Sequence, residues 1–241
     1  MIKEALQYIV GMSTPTVQKI KNETYSDKQL YRINHNPKAS AIKLSTLTSL
    51  IDYIRSGVDF TDEKMFIHVA SPTKVLLFSG LDYDRNREHL IEVNAQVPEF
   101  PFNTYIDHEN FCVNLQSKFY DTPDRALLLK FAGTVENGTV TEYGDDGITQ
   151  KATIKTGIAS KREALIPSPV SLMAYRTFSE ARQPLSQFIF RMKQNGNGIQ
   201  CALFEADGGA WRNDATTAVA AFLINNLEVY GNMYDNIKIL A

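Results

Sequence analysis

The sequence predicts an α+β fold with antiparallel β-sheets, an αα-hairpin inserted between two groups of strands, and a helix near each end. Three observations predict it. Apolar residues switch along the chain between a spacing of three to four and a spacing of two, which separates amphipathic helices from half-buried strands. The strand-like runs are short and joined by Pro, Gly, Asn and Asp, the residues of tight turns. Two helix-like runs lie back to back between the strand groups, over residues 107–133.

Ile2, Leu6, Ile9 and Val10 recur at helical spacing, so residues 2–10 read as a short helix stopped by Gly11 and Ser13-Thr14-Pro15. The basic, polar stretch KIKNETYSDKQLYRINHNPK follows. It reads as loop plus an edge strand at Tyr31–Asn34, or as an arm that orders against a partner. Residues 45–57 give a clearer helix, with Ser45 as N-cap, Leu47, Leu50, Ile51 and Ile54 on one face, and Gly57 at its end. MFIHVA and KVLLFSG read as strands around Ser71-Pro72-Thr73, and REHLIEVNAQV as a third, together an antiparallel meander.

Asp107 caps a helix whose buried stripe is Phe111, Leu115 and Phe119. Thr122-Pro123 starts the next, with a capping hydroxyl and a proline at the first helical position. It carries Leu127, Leu128 and Phe131 and ends at Gly133; the short link at Tyr120–Asp121 makes the αα-hairpin. GTVTEYG and ITQKATIKTG then form a hairpin about Asp145-Asp146-Gly147. Thr149, Lys151, Thr153 and Lys155 share one face of its second strand, so that face is cationic. Pro167 and Pro169 bracket a turn. FIFRM and IQCALFEA read as strands joined by NGNG. Asp214 caps a last helix through about Asn226, with Ala215, Val219, Phe222 and Leu223 inward. Ile237, Ile239 and Leu240 make the tail apolar, so it docks on its own domain or on a neighbour. The division expected is residues 1–44, helix and polar arm, and residues 45–241, one α+β domain with a subdivision near residue 134.

Composition narrows the function classes. The 241 residues are 44% hydrophobic and 22% charged, which is globular and long enough for a sizeable core. A net charge of −2 supplies no global field for nucleic acid, although a local patch remains open. No apolar run reaches the roughly 20 residues of a membrane span, and Lys3 and Glu4 interrupt any leader-like start. A cytoplasmic protein with no membrane partner is expected. Cys112 and Cys201 form no CxxC and read as buried free thiols. None of the four histidines pairs with another at metal-binding spacing, and His108 sits between Asp107 and Glu109 at a helix start. No nucleophile elbow, HExxH, phosphate loop or dinucleotide fingerprint occurs, so no cofactor is expected.

The segment from Ala174 to Trp211 concentrates the candidate groups. Arg176, Arg191 and Lys193 lie close to Phe178, Phe188 and Phe190, and arginine with aromatics holds nucleotides or stacks single-stranded bases. With Lys151 and Lys155 these make the candidate ligand or nucleic-acid site: Arg176, Phe178, Arg191, Lys193, Lys151 and Lys155. The bland alternative places the Phe face in the core and pairs the Arg face with solvent or with Glu180 and Glu205. Glu205 and Asp207 would share a strand face and are weak candidates for a cation, against a simple Asp-Gly-Gly turn.

The same segment resembles phage and prophage proteins of Gram-positive bacteria of unassigned function, and more distantly the YfdQ-like phage proteins. Arg176, Thr177, Phe178, Gln183, Pro184, Phe188, Phe190, Arg191 and the run 202–211 carry the resemblance, with TPDRALLLKFAG and DDGITQKATIKTG. It covers about residues 45–226 and implies a phage accessory protein made inside the host. No catalytic residue comes with it. The first expectation is a non-enzymatic homo-oligomer that binds a host protein or sequesters a ligand, as an anti-defence factor would. The alternative is a nucleotide or single-stranded nucleic-acid binder of phage recombination or replication. A third reading is a metal-dependent hydrolase using Glu205, Asp207, Asp145 and Asp146.

Overall fold

The computed structural model describes residues 2–13, 15–21, 23–29, 38–59, 64–142, 150–155, 161–165, 167–196, 198–228 and 236–241. The chain forms two compact units, Met1–Lys38 and Ala39–Ala241.

In the first unit, α1 (Ile2–Ser13) is followed by a hairpin of β1 (Val17–Ile20) and β2 (Glu23–Ser26), with Val17 opposite Ser26 and Ile20 opposite Glu23. The helix runs through Gly11, because one glycine costs only about 1 kcal/mol against alanine. Pro15, which cannot extend a helix, lies just beyond its end. Every residue from Ile2 to Gly11 is exposed. The hairpin is hidden in the sequence because none of its strand positions is buried, so no alternation marks it. The strand expected at Tyr31–Asn34 lies outside the described residues.

The second unit is α+β and holds two cores. Around the first, β4 (Met65–Ser71), β5 (Lys74–Ser79) and β6 (His89–Asn94) form the expected antiparallel meander. Two parallel strands complete the sheet, β3 (Ile42–Leu44) on β6 and β14 (Ile237–Leu240) on β4, in the order β14-β4-β5-β6-β3. The apolar tail therefore docks on its own unit. Met65, Ile67 and Val69 point inward with Val75 and Leu77, against α2 (Leu47–Ser56) and α5 (Trp211–Glu228). The stripe Leu47, Leu50, Ile51 and Ile54 is buried as expected, and Gly57 ends α2 at φ 64°. Its N-cap is Thr46, not Ser45: Thr46 Oγ1 accepts from Ser49 N at 3.2 Å. On α5, Ala215, Val219 and Leu223 are buried and Phe222 partly so. The helix begins at Trp211, one turn before the expected cap Asp214, which lies in its first turn.

Around the second core, β12 (Ser186–Asn195) and β13 (Gly198–Glu205) form a long hairpin with Asn195 opposite Gly198. β11 (Val170–Leu172) and β7 (Ile106–Asp107) flank it in the order β11-β12-β13-β7. The αα-hairpin covers it: α3 (His108–Ser117) is capped by Asp107 and α4 (Pro123–Ala132) by Thr122, as read from the sequence. Phe111, Leu115, Phe119, Leu128 and Phe131 are buried, whereas Leu127 points outward. A third sheet, in the order β10-β9-β8, joins β8 (Val135–Glu142), β9 (Gln150–Lys155) and β10 (Lys161–Leu165), and Ala152 of β9 enters the second core.

The arm is thus shorter than residues 1–44, because β3 is an edge strand of the second unit. No cut near residue 134 separates the cores, since the first takes Phe178, Ala181, Val219 and Ile237 from beyond it.

Candidate functional site

The segment 174–184 lies where the two cores meet, and its side chains divide between them. Ala174 belongs to the second core and Phe178 to the first, where it is 1% exposed. Arg176, 6% exposed, turns toward the second core. Its guanidinium carbon lies 4.1 Å from the centroid of the Phe102 ring, 4.5 Å from Trp211 and 5.0 Å from Phe188. Its Nη2 is 3.0 Å from Glu205 Oε1. That contact is ionic rather than a well-aligned hydrogen bond, and Nε and Nη1 have no hydrogen-bond partner among the described residues. The three rings take the place of those partners, because a desolvated cation is attracted to aromatic faces. Burial lowers the Arg176 pKa from its ordinary value and Arg212 adds to this, while Glu205 and Asp207 oppose it. An arginine starts so high that it stays charged throughout.

The backbone of the segment is held from inside. Gln183, 2% exposed, accepts through Oε1 from the Arg176 N–H at 2.8 Å and the Thr177 N–H at 3.1 Å. Its Nε2 donates to the Phe178 carbonyl at 2.9 Å. The Thr177 hydroxyl donates to the Pro72 carbonyl in the β4–β5 turn. Glu180 Oε1 accepts from Leu47 N at 2.9 Å and from Thr48 N at 3.3 Å, placing a carboxylate on the orphan donors of the α2 N-terminus. The segment 174–184 is therefore a rivet between two cores. Nothing in a linear reading says that a glutamine side chain will satisfy a loop backbone seven residues away.

The acidic glycine stretch is occupied in the same way. Asp207 lies beyond the end of β13, so it does not share a strand face with Glu205. Its Oδ1 accepts from Gly209 N at 3.0 Å, and Gly208 and Gly209 have φ 63° and 84°, the turn weighed against a cation site. A Cβ at Gly209 would come within 2.6 Å of Arg212 Nη1. The guanidinium of Arg212 lies 4.8 Å from the Trp211 ring, so Trp211 meets two arginines. Among the described residues no three His, Cys, Asp or Glu side chains converge as a metal site. Asp145 and Asp146 lie outside those residues.

The remaining candidates lie on β12 and β9. On β12 the alternation is as expected: Phe188, Phe190 and Met192 are buried, and Arg191 and Lys193 take the other face. Lys193 is exposed, with Nζ 4.1 Å from the Tyr105 ring. Lys151 and Lys155 lie on β9 opposite Leu165 and Lys161 of β10. Arg176 and Phe178, expected to hold a ligand together, are both buried, Phe178 in the first core and Arg176 against the Phe102 and Phe188 rings of the second. Glu205 does pair with an arginine, but with Arg176, whereas Glu180 caps a helix.

His108 and the cysteines are structural. His108 Nε2 lies 2.8 Å from the Ala132 carbonyl and 3.7 Å from Cys112 Sγ, tying the start of α3 to the end of α4. Both thiols are free, and burial raises both pKa values, that of Cys201 far more. In comparison with known proteins, the chain matches no protein-family model, no curated protein and no solved structure.

Proposed function

We propose that this chain is a phage or prophage accessory protein that acts by binding, not turnover, and works as a homo-oligomer. The observation that carries the assembly is α1: Ile2, Leu6, Tyr8, Ile9 and Val10 are all more than half exposed. A helix of 12 residues is marginal alone in water and needs its apolar face covered. The occupant is a second copy of the chain. Residues 1–38 carry six basic and three acidic side chains, net +3, which leaves −5 on residues 39–241. The arm of one copy and the body of another are complementary in charge. The phage assignment rests on the sequence resemblance of residues 176–211. A host protein or a sequestered small molecule is the partner class this reading implies.

Size-exclusion chromatography with light scattering tests the assembly. The full chain is expected at a multiple of 27.1 kDa. The variant L6D/I9D, altered only at exposed positions, is expected to shift toward the monomer. A full chain that runs as a monomer at micromolar concentration overturns the reading.

A further inference from the structure

The outer face of the five-stranded sheet holds chemistry that the two cores leave unused. While Met65, Ile67, Val75 and Leu77 point into the first core, Phe66, His68 and Phe78 alternate to the opposite face. A cavity of about 330 Å³ opens there, lined by Phe66, His68, Phe78, Arg87, Leu240 and Ala241. That volume lies in the range of small-ligand sites.

Its walls are flat rings beside a cation. Phe66 and Phe78 are directly opposite one another on β4 and β5, so their rings are neighbours on one face. The His89 ring backs Phe78, with centroids 4.9 Å apart. The Arg87 guanidinium lies 4.8 Å from the Phe66 centroid, and its Nη1 donates to the Ser79 carbonyl at 3.2 Å. These two contacts orient the guanidinium and leave its other N–H donors for a ligand. Among the described residues Arg87 makes no ion pair and the His68 ring no hydrogen bond. Lys238, exposed on β14, is in register with Phe66 and adds a second cation to the same face. Of the acidic side chains next to Arg87 and on β6, Glu88 accepts from Ala39 N at 3.1 Å and Glu92 pairs with Lys74 at 2.7 Å.

We infer that this cavity binds a planar aromatic anion of the nucleoside monophosphate class. The base stacks on Phe66 and Phe78, and the phosphate meets Arg87 with Lys238 beside it. The inference rests on the reading of the chain as a binding protein and is independent of its assembly.

Calorimetric titration of the full chain with adenosine monophosphate tests it. Binding with a Kd below about 1 mM is expected. Adenosine, which lacks the anion, and inorganic phosphate, which lacks the ring, should each bind at least about tenfold more weakly. Arg87→Ala, at an exposed position, should weaken binding about tenfold, and Phe66→Leu should weaken it similarly through lost stacking. No binding of the nucleotide at about 1 mM overturns the inference, as does unchanged affinity in Arg87→Ala. A short oligoadenylate that binds far more tightly than the monomer, with a steep salt dependence, also overturns it and makes the face a nucleic-acid track. Light scattering on the same samples reads assembly separately, so failure of the pocket and failure of the homo-oligomer are distinguishable.

Discussion

Replacing Gln183 with leucine removes the amide that organises the segment between the cores while keeping similar volume. In the wild type two buried N–H groups, those of Arg176 and Thr177, share Oε1 at 2.8 and 3.1 Å. Leucine accepts nothing, so both donors lose their partner, at about 1–3 kcal/mol each. The Phe178 carbonyl is less affected, because it still accepts from Ala181 N at 3.2 Å. The added apolar burial returns on the order of 1 kcal/mol. The net loss is about 3 kcal/mol, or a Tm lower by about 6–12 °C for a chain of this size. Urea unfolding, followed by circular dichroism and by the fluorescence of the single tryptophan, Trp211, reads it as a lower midpoint at unchanged slope. Gln183→Glu sharpens the test. A carboxylate keeps the acceptor but faces the Phe178 carbonyl with negative charge, so it is destabilising at neutral pH. A protonated carboxyl restores one donor and one acceptor. The folded state therefore raises this carboxyl's pKa, and the deficit relative to wild type should shrink as pH falls toward the ordinary carboxylate range. A loss under about 1 kcal/mol in Gln183→Leu would refute the view that this amide holds the loop, since even one orphaned donor costs that much.

Three further outcomes follow from the same geometry. Phe178→Ala should cost about 3–5 kcal/mol, against about 1 kcal/mol or less for Leu127→Ala on the exposed side of α4; equal urea midpoints would count against Phe178 as a core anchor. Glu205→Gln removes the counter-charge of Arg176, and because Glu205 is partly solvated the expected loss is about 1–2 kcal/mol, with altered Trp211 emission; an unchanged midpoint would show that the aromatic box alone suffices. Burial and the hydrogen bond to Asp59 push the Tyr53 phenol up to about 12. The folded state thus favours the neutral phenol, and this stabilisation is complete below the ordinary value near 10 and lost as pH rises toward 12. Tyr53→Phe should flatten that alkaline decline in urea midpoints, and identical pH profiles would contradict the assignment.

Most helices were legible because their signals are local. Asp107, Thr122 and Gly57 act within one turn, and the stripe Phe111–Leu115–Phe119 needs only the helical period. The meander and the long hairpin were legible from alternation and turn residues. The strands β3 and β14 are three and four residues long and owe their pairing to partners far along the chain. The start of α5 moved to Trp211 because the Asp207 turn and the two glycines allow helix to begin one turn early. The surroundings of the candidate site were not legible for a related reason. Alternation correctly put Phe188 and Phe190 inside, but the segment before β12 has no period, and its side chains are distributed by loop geometry.

By itself the sequence determined the α+β class, the antiparallel meander, the αα-hairpin and most of the buried faces of the second unit's strands and helices. These follow from periodicity and capping, which act over a few residues. Only the tertiary structure decided that Arg176 is enclosed by Phe102, Trp211, Phe188 and Glu205, and that Phe178 belongs to another core. It also decided that Phe66, Phe78 and Arg87 line one cavity. Whether a charged or aromatic side chain is a ligand group or a structural one depends on what surrounds it, and those neighbours come from distant segments, Phe102 lying more than seventy residues before Arg176.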